Sequence, residues 1–295
     1  MHSALPWPSL ADQSALAEDM FDSAGRILLE RWLAVQHARI DDADFARTFS
    51  DHLDLPGIVQ ADYNHRLIST PRGDLLGGIR FYGRDIARPF VEIVGHGFAD
   101  LDALRACVRA EWSAFGVRLL RLHVLPGALN GPGVLRDNTI HAARYRDMRP
   151  PSAPVVLGPF ADVEHAVALV EHRYAGLEPQ LRHNVAPASR DDLAAWHDSG
   201  VLRAASLDGL LVGLFAAAPG AITWLVGDEV QEEVIDARFA GRGLAAAMQG
   251  EWARSVAADA RRYLIGTIDR HNPASRRSAE RAGRRAVLES VFVEL

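Results

Sequence analysis

From residue 155 onward the apolar positions change period in a regular order. "VVLGPF" (155–160) is a short apolar run that predicts a strand. Asp162 can cap a helix in which Val163, Val167, Val170 and Tyr174 fall on one face. Ser189, with Asp192 three residues on, opens a second helix carrying Leu193 and Trp196, and Gly200 stops it. "VLRAASL" and "LLVGLFAAAP" flank Asp208-Gly209, a dipeptide suited to a type I′ hairpin. "AITWLVGDEVQEEVID" (221–236) reads as one long extended run. An alanine-rich helix follows, with Leu244, Ala245, Met248, Trp252 and Val256 on one face. "RYLIGTI" (262–268) predicts a strand, and Asn272-Pro273 opens the next helix with Asn at the N-cap and Pro at the first helical position. "RAVLESVFVEL" closes the chain with one or two strands, so the order is β-α-α-β-β-β-α-β-α-β.

The first half repeats part of this order. Helical periodicity fills roughly 12–53, and "GIVQADY", "LLGGIRFYG" and "FVEIVGHGF" read as three strands. Helix "DLDALRACVRAEWSAF" and strand "VRLLRLHVLPG" follow, and "PGALNGPGVLRDN" (126–138) reads as a loop. The recurrence of β-β-β-α-β suggests an internal duplication with a period near 150 residues. "MRPPSAP" (148–154) has three prolines, which suit neither a helix nor a central strand. The junction is expected there, giving domains 1–150 and 151–295. The fold class is α/β (α+β): two tandem mixed sheets flanked by helices.

Composition narrows the picture. The chain has 295 residues, 48% of them hydrophobic and 24% charged, with a net charge of −6. That balance argues against bulk binding of nucleic acid. No apolar run reaches the roughly 18 residues that span a bilayer, and the N-terminus shows no basic region followed by an apolar core. Cys107 is the only cysteine, sits at helical spacing with Leu104 and Val108, and reads as core filler in a reducing cytoplasm. The histidines form no ligand pattern, so no metal is expected.

The chemistry gathers around "RFAGRGLAAAMQ" (238–249), where two glycines and an arginine precede a helix. The first N–H groups of a helix lack partners and point outward, and the helix dipole adds partial positive charge. Glycine lets a phosphate approach such a turn, although a tight strand-to-helix turn alone would also use it. The segment Ala240-Gly241-Arg242-Gly243-Leu244-Ala245 resembles the pyrophosphate-binding segment of the GNAT superfamily of acyl-CoA-dependent N-acyltransferases, [QR]-x-x-G-x-[GA], with Ala240 where Arg or Gln is usual. "NPASRRSAERAG" (272–283) resembles that family's N-x-x-S-x-r-x-a-e-k-x-G segment through Asn272, Ser275, Ala279, Glu280 and Gly283. The resemblance covers about 155–295. The first half has no glycine-rich turn and would be a degenerate GNAT-like domain, acceptor-side or structural.

The resemblance implies acetyl-CoA or another acyl-CoA as cosubstrate and acyl transfer to a small-molecule amine. The pantetheine arm would meet backbone groups of Val234 and Ile235, and Arg276 or Arg277 would meet the 3′-phosphate. The amine must lose a proton and the leaving thiolate must gain one. Glu229, Glu232 and Glu233 are candidate bases, with Glu232 and Glu233 nearest the thioester. Alternation puts Glu232 on one face and Glu229 and Glu233 on the other. The family's tyrosine acid position holds Ala279, which leaves Tyr263, Tyr174 or solvent as the proton source. Two other readings stay open: an acyl-CoA-binding or interaction protein without turnover, and a decarboxylase acting on an acyl-CoA. The acceptor is not legible, and a homodimer is left open as the assembly.

Overall fold

The computed structural model describes residues 7–53, 55–256 and 262–295. The chain divides into two compact units. Unit 1 comprises residues up to Asp137 together with Leu288–Leu295, and unit 2 is Asn138–Val287. Among the described residues no helix is long and apolar enough to cross a membrane.

In unit 1, helices α1 (Ala11–Phe21), α2 (Ser23–Ala38) and α3 (Ala43–Ser50) precede strands β1 (Arg66–Thr70), β2 (Gly73–Phe81) and β3 (Pro89–His96). These strands pair antiparallel in sequence order. Helix α4 (Leu101–Glu111), capped by the Asp100 carboxylate on the N–H of Ala103, leads to β4 (Leu119–Val124), which runs parallel to β3. The core forms where α4 lays Leu104, Val108 and Trp112 on Leu75, Ile79, Val91 and Leu120 of the sheet. Cys107 packs at its margin as filler. One strand differs from the sequence reading. "GIVQADY" is a turn and a short 3-10 helix, and the first strand is "RLIST". Tyr63 explains the displacement: its hydroxyl is tied down to the Leu53 carbonyl and its ring fills the core beneath Phe49.

In unit 2, β5 (Val134–Arg144) contributes residues 138–144, followed by β6 (Val156–Pro159), α5 (Val163–Ala175), α6 (Pro179–Asn184) and α7 (Arg190–Asp198). Strands β7 (Leu202–Leu207), β8 (Leu210–Ile222) and β9 (Leu225–Ile235) form an antiparallel meander. Helix α8 (Leu244–Ser255), β10 (Tyr263–Asp269), α9 (Pro273–Ala282) and β11 (Arg285–Glu294) complete the order. The cap at Asp162, the capping box Ser189–Asp192 and the stop at Gly200 (φ +70°) form as the spacing predicts. Asp208 and Gly209 both take positive φ, as a type I′ turn requires. The run 221–236 is two strands rather than one. Thr223, at φ +56°, and Trp224, fully buried, turn the chain between Ile222 and its partner Leu225.

The polypeptide does not change units at 148–154. Asn138–Arg144 pair antiparallel with β10, Tyr145 N–H donates to Arg262 O, and Arg149 N–H donates to Ala282 O at the end of α9. The segment "MRPP" is thereby held inside unit 2. At the other end, Glu289–Glu294 pair antiparallel with β4 and belong to unit 1.

Candidate functional site

Strands β9 and β10 are parallel, with Asp228 opposite Leu264 and Glu229 opposite Ile265 as their paired residues. Beyond them the strands part. At the closed end, the Tyr145 hydroxyl donates to Asp228, which also pairs with Arg262, and Trp252 Nε1 donates to the Tyr145 oxygen at 3.1 Å. Strand β9 also carries a bulge. Ala217 faces Val230 and Ala216 faces Glu232, so Gln231 is an extra residue. The bulge reverses the alternation read from the sequence. Glu229 lies opposite Ala218 and Glu232 opposite Ala216, two residues apart on one face of β8, so Glu229 and Glu232 share a face. Glu233, opposite Phe215, is on the face that packs against α8.

After Ile235 a single 3-10 turn (Ala237–Phe239) leads to Gly241 at φ +77° and Gly243 at φ +76°. Gly243 is the N-cap of α8. A Cβ on either glycine would meet nothing within 4 Å. Internal packing therefore does not require glycine here; the backbone conformation does, and it leaves open space over the unpaired N–H groups at the helix start. Arg242 is carried over the Phe239 ring at 5.6 Å.

This turn forms one wall of a cleft of about 340 Å³. Residues 239–245 and Ile235 line one side, and Asn272, Ser275, Arg277, Ser278 and Arg281 of the α9 region line the other. Glu233 lines it as well, and Arg173 enters from the last turn of α5. Four guanidinium groups thus border the cleft: Arg173, Arg242, Arg277 and Arg281. A helix N-terminus with that complement of cations suits a ligand with several phosphates.

The sequence-predicted positions sort as follows. Ile235, Ala240, Gly241, Arg242, Gly243, Leu244, Ala245 and Asn272 all border the cleft. Val234 points the other way, into the core with Leu169, Leu193 and Leu214. Arg277 rather than Arg276 is among the lining residues, because one residue is about 100° of helix. Asn272 Oδ1 also caps α9 by accepting from Ser275 N–H at 3.0 Å. Arg281 belongs to the basic C-terminal run from which the sequence draws its 3′-phosphate candidates, and Arg173 does not. Arg281 stands four residues after Arg277 on the same helical face, a signal present in the sequence, whereas nothing local marks Arg173.

The candidate acids and bases are separated. Tyr263 is level with Gly227 at the closed end of the splay, roughly 26 Å along β9 from Ile235 at ordinary strand rise, and receives a hydrogen bond from Arg144 Nε at 2.7 Å. Tyr174 donates its hydroxyl proton to Glu232 at 3.2 Å, and burial, with the neighbouring carboxylate, holds that proton more tightly than usual. Glu232 also accepts from Ala188 N–H (3.1 Å) and Glu233 N–H (3.2 Å). Glu233 accepts from Gln249 Nε2 at 2.8 and 3.1 Å. Burial moves both carboxyl groups above their usual range, for Glu233 against the opposing pull of Arg284.

Unit 1 repeats the splay without the site. Val91–Leu120 and Glu92–Arg121 are its parallel pairs, and Val94 is an extra residue two positions past Glu92, as Gln231 is past Glu229. By this register Gly95 and His96 stand where unit 2 has Glu232 and Glu233. The N-terminal segment occupies the open end. Trp7 packs on Gly95, whose Cβ would come within 2.6 Å of the indole. His96 N–H donates to Ser9 Oγ at 2.8 Å, and Gln13 Nε2 donates to the His123 carbonyl at 3.0 Å.

No protein-family model matches the sequence, and no curated protein matches it significantly. Among the solved structures that it resembles is an acetyltransferase from the GNAT family from Colwellia psychrerythraea. It is 10% identical, covers 90% of this chain and 97% of its own, and has a TM-score of 0.54. Another is a GCN5-related N-acetyltransferase from Sphaerobacter thermophilus, 14% identical over 90% of this chain and 91% of its own, with a TM-score of 0.51. The likeness is one of fold: this chain has the mixed α/β fold of the GNAT acetyltransferases.

Proposed function

We propose that this chain is an acyl-CoA-dependent N-acyltransferase with a single acyl-CoA site in unit 2 and a small-molecule amine as acceptor. The observation that carries the reading is the cleft itself. The glycine turn, the N-terminus of α8 and four arginines converge beside two strands that part after one short stretch of pairing. The residues present suit acyl-CoA. Backbone N–H groups of 241–245 and Arg242 would hold the pyrophosphate, and Arg277, Arg281 or Arg173 the 3′-phosphate. When bound, the thioester supplies an electrophilic carbonyl.

The chain's own part is to orient, exclude water and move protons. The neutral amine attacks the carbonyl carbon, a C–N bond forms, the C–S bond breaks, and the sulfur leaves with the electron pair. A carboxylate takes the proton that the amine sheds. Glu233, in the cleft wall, and Glu232, on the opposite face beside Tyr174, remain the two candidates, and burial moves both toward a useful basicity. The thiolate draws its proton from solvent. Ala279 is fully buried in α9 and has no proton to give, Tyr174 is committed to Glu232, and Tyr263 is remote. That none of the candidate acids among the described residues is placed to give a proton favours, as a second reading, an acyl-CoA-binding protein without turnover. Incubation with acetyl-CoA and a panel of amines, read as free thiol against a no-amine control, separates the two. Thiol release that depends on amine supports the enzyme. Tight CoA binding with no release under any amine supports the second reading.

A further inference from the structure

Beside the cleft, unit 2 buries two basic side chains that acyl transfer as described leaves unused. Arg284, just past the glycine that ends α9, is 3% exposed. Its Nε donates to Gln249 Oε1 at 3.0 Å, and Gln249 in turn donates to Glu233 in the cleft wall. Nη1 of the same guanidinium is buried without a partner, and the His141 ring, 1% exposed, makes no close hydrogen bond at either nitrogen, the Thr139 backbone being the group that it approaches. The two residues meet at one place. His141 lies opposite Gly266 in the antiparallel pair β5–β10, and a Cβ on Gly266 would stand 2.8 Å from Arg284 Nη1 and 3.4 Å from Val230 Cβ.

Val230 and Gly266 are the first residues past the paired Glu229 and Ile265. The guanidinium therefore lies where β9 and β10 part, about 15 Å inward of Ile235 at ordinary strand rise. A cation buried with an unused donor is costly, and it is strongly satisfied by an anion with free lone pairs. Gln249 stands between Arg284 and Glu233, so that carboxylate reaches the guanidinium only through an amide, while Glu280 lies within electrostatic reach of His141 without a hydrogen bond to it. An acetyl group would offer this position a methyl group.

We propose that Arg284 and His141 receive a carboxylate at the far end of the donor's acyl group, so that the thioester used is that of a dicarboxylic acid. The proposal rests on the reading of the cleft as an acyl-CoA site. Glycine at 266 then has a second use beyond strand geometry: any side chain there would displace the guanidinium from the fork of the strands.

The test is calorimetric titration of the full chain, without acceptor, with CoA, acetyl-CoA, butyryl-CoA and succinyl-CoA. Succinyl-CoA is expected to bind at least about tenfold more tightly than butyryl-CoA, which is close in length and lacks the charge. Arg284→Gln should remove that preference and leave the affinity for CoA within about twofold. If Arg284→Gln does not fold, His141→Leu is the deciding variant, and it should cut the preference several-fold. Butyryl-CoA or acetyl-CoA binding as tightly as succinyl-CoA, with CoA still bound, overturns the carboxylate site and leaves the acyl-CoA reading standing. A preference unchanged in a folded variant overturns it equally. Failure of every species, CoA included, overturns both.

Discussion

Gly243 is held at φ +76° with open space where a side chain would project. Gly243→Val therefore acts twice. The left-handed conformation costs a β-branched residue about 1–2 kcal/mol of stability, and the new methyl groups stand over the N–H groups that a phosphate must approach. CoA affinity is expected to fall by about 30-fold or more, roughly 2 kcal/mol, in a titration against the wild-type protein. An unchanged affinity would exclude this turn as the phosphate site. The carboxylates make a second case at single positions. Glu232→Gln and Glu233→Gln each keep volume and hydrogen-bonding capacity, and whichever residue is the base should lose about 10²-fold in kcat/KM with CoA affinity retained. Burial raises both groups, so the acidic limb of the pH–rate profile is expected above the ordinary glutamate value of about 4.3. The limb should disappear in the variant that removes the base. If both single variants and the double variant keep near-normal rates, neither glutamate is the base.

Strand β3 shows how an element can keep the geometry of a site and lose its chemistry. It has the bulge and the short parallel pairing of β9, yet Gly95 and His96 stand at the positions of the two glutamates, and Trp7, Ser9 and Gln13 cover the backbone there. What β3 retains is a largely buried ion cluster. Glu92 bonds Arg121 Nε, lies 3.0 Å from His123 Nε2, and Arg121 reaches Asp137 at 3.3 Å. Burial alone would raise the Glu92 carboxyl, but Arg121 and His123 outweigh it and hold the group at about 2. A carboxyl depressed in the folded state stabilises the protein above its unfolded value, about 4.3, and loses that contribution as pH falls toward 2. Glu92→Gln leaves Arg121 less compensated and should cost about 3 kcal/mol at pH 7 in chemical denaturation. The acid-side decline between pH 5 and 2 should be shallower in that variant than in the wild-type protein. Equal stability of the two proteins at pH 7 would show that the cluster contributes nothing net.

For the molecule as a whole, one CoA per chain is the stoichiometry expected in native mass spectrometry. Unit 1 has the splayed pair but no counterpart of the glycine turn, since β3 ends at His96 and the chain passes through Gly97 and Phe98 to the capped start of α4, and the chain's own N-terminal segment takes the open end of its splay. Two CoA molecules per chain would mean that the glycine turn is not the determinant of binding. The units also exchange strands along the chain. Residues 138–144 pair within unit 2 although they follow unit 1 directly, and residues 289–294 return to β4. Composition points to 148–154, whereas the contacts divide the chain within β5 and within β11, at 137/138 and 287/288.

The longer helices of unit 2, their caps, the Asp208-Gly209 hairpin and the glycine turn were legible in the residues, because each depends on interactions that close within a few positions of one another; the short α6 (Pro179–Asn184) was not. The same holds for most of the cleft lining, which is one contiguous segment from Ala240 to Ala245 plus the start of α9. The face that each glutamate presents was not legible, since one bulged residue, Gln231, reverses the alternation, and a bulge is set by the partner strand. Arg173 in the cleft, Arg284 at the fork of the strands and Trp7 over Gly95 are likewise invisible to local pattern. An arginine in a basic run reads as solvated surface, and only the placement of Arg284 against Gln249 of α8 and Gly266 of β10 takes it out of water and leaves its Nη1 unpaired. Periodicity reports how a segment folds on itself, whereas burial and charge pairing between distant segments follow from where the fold brings them together.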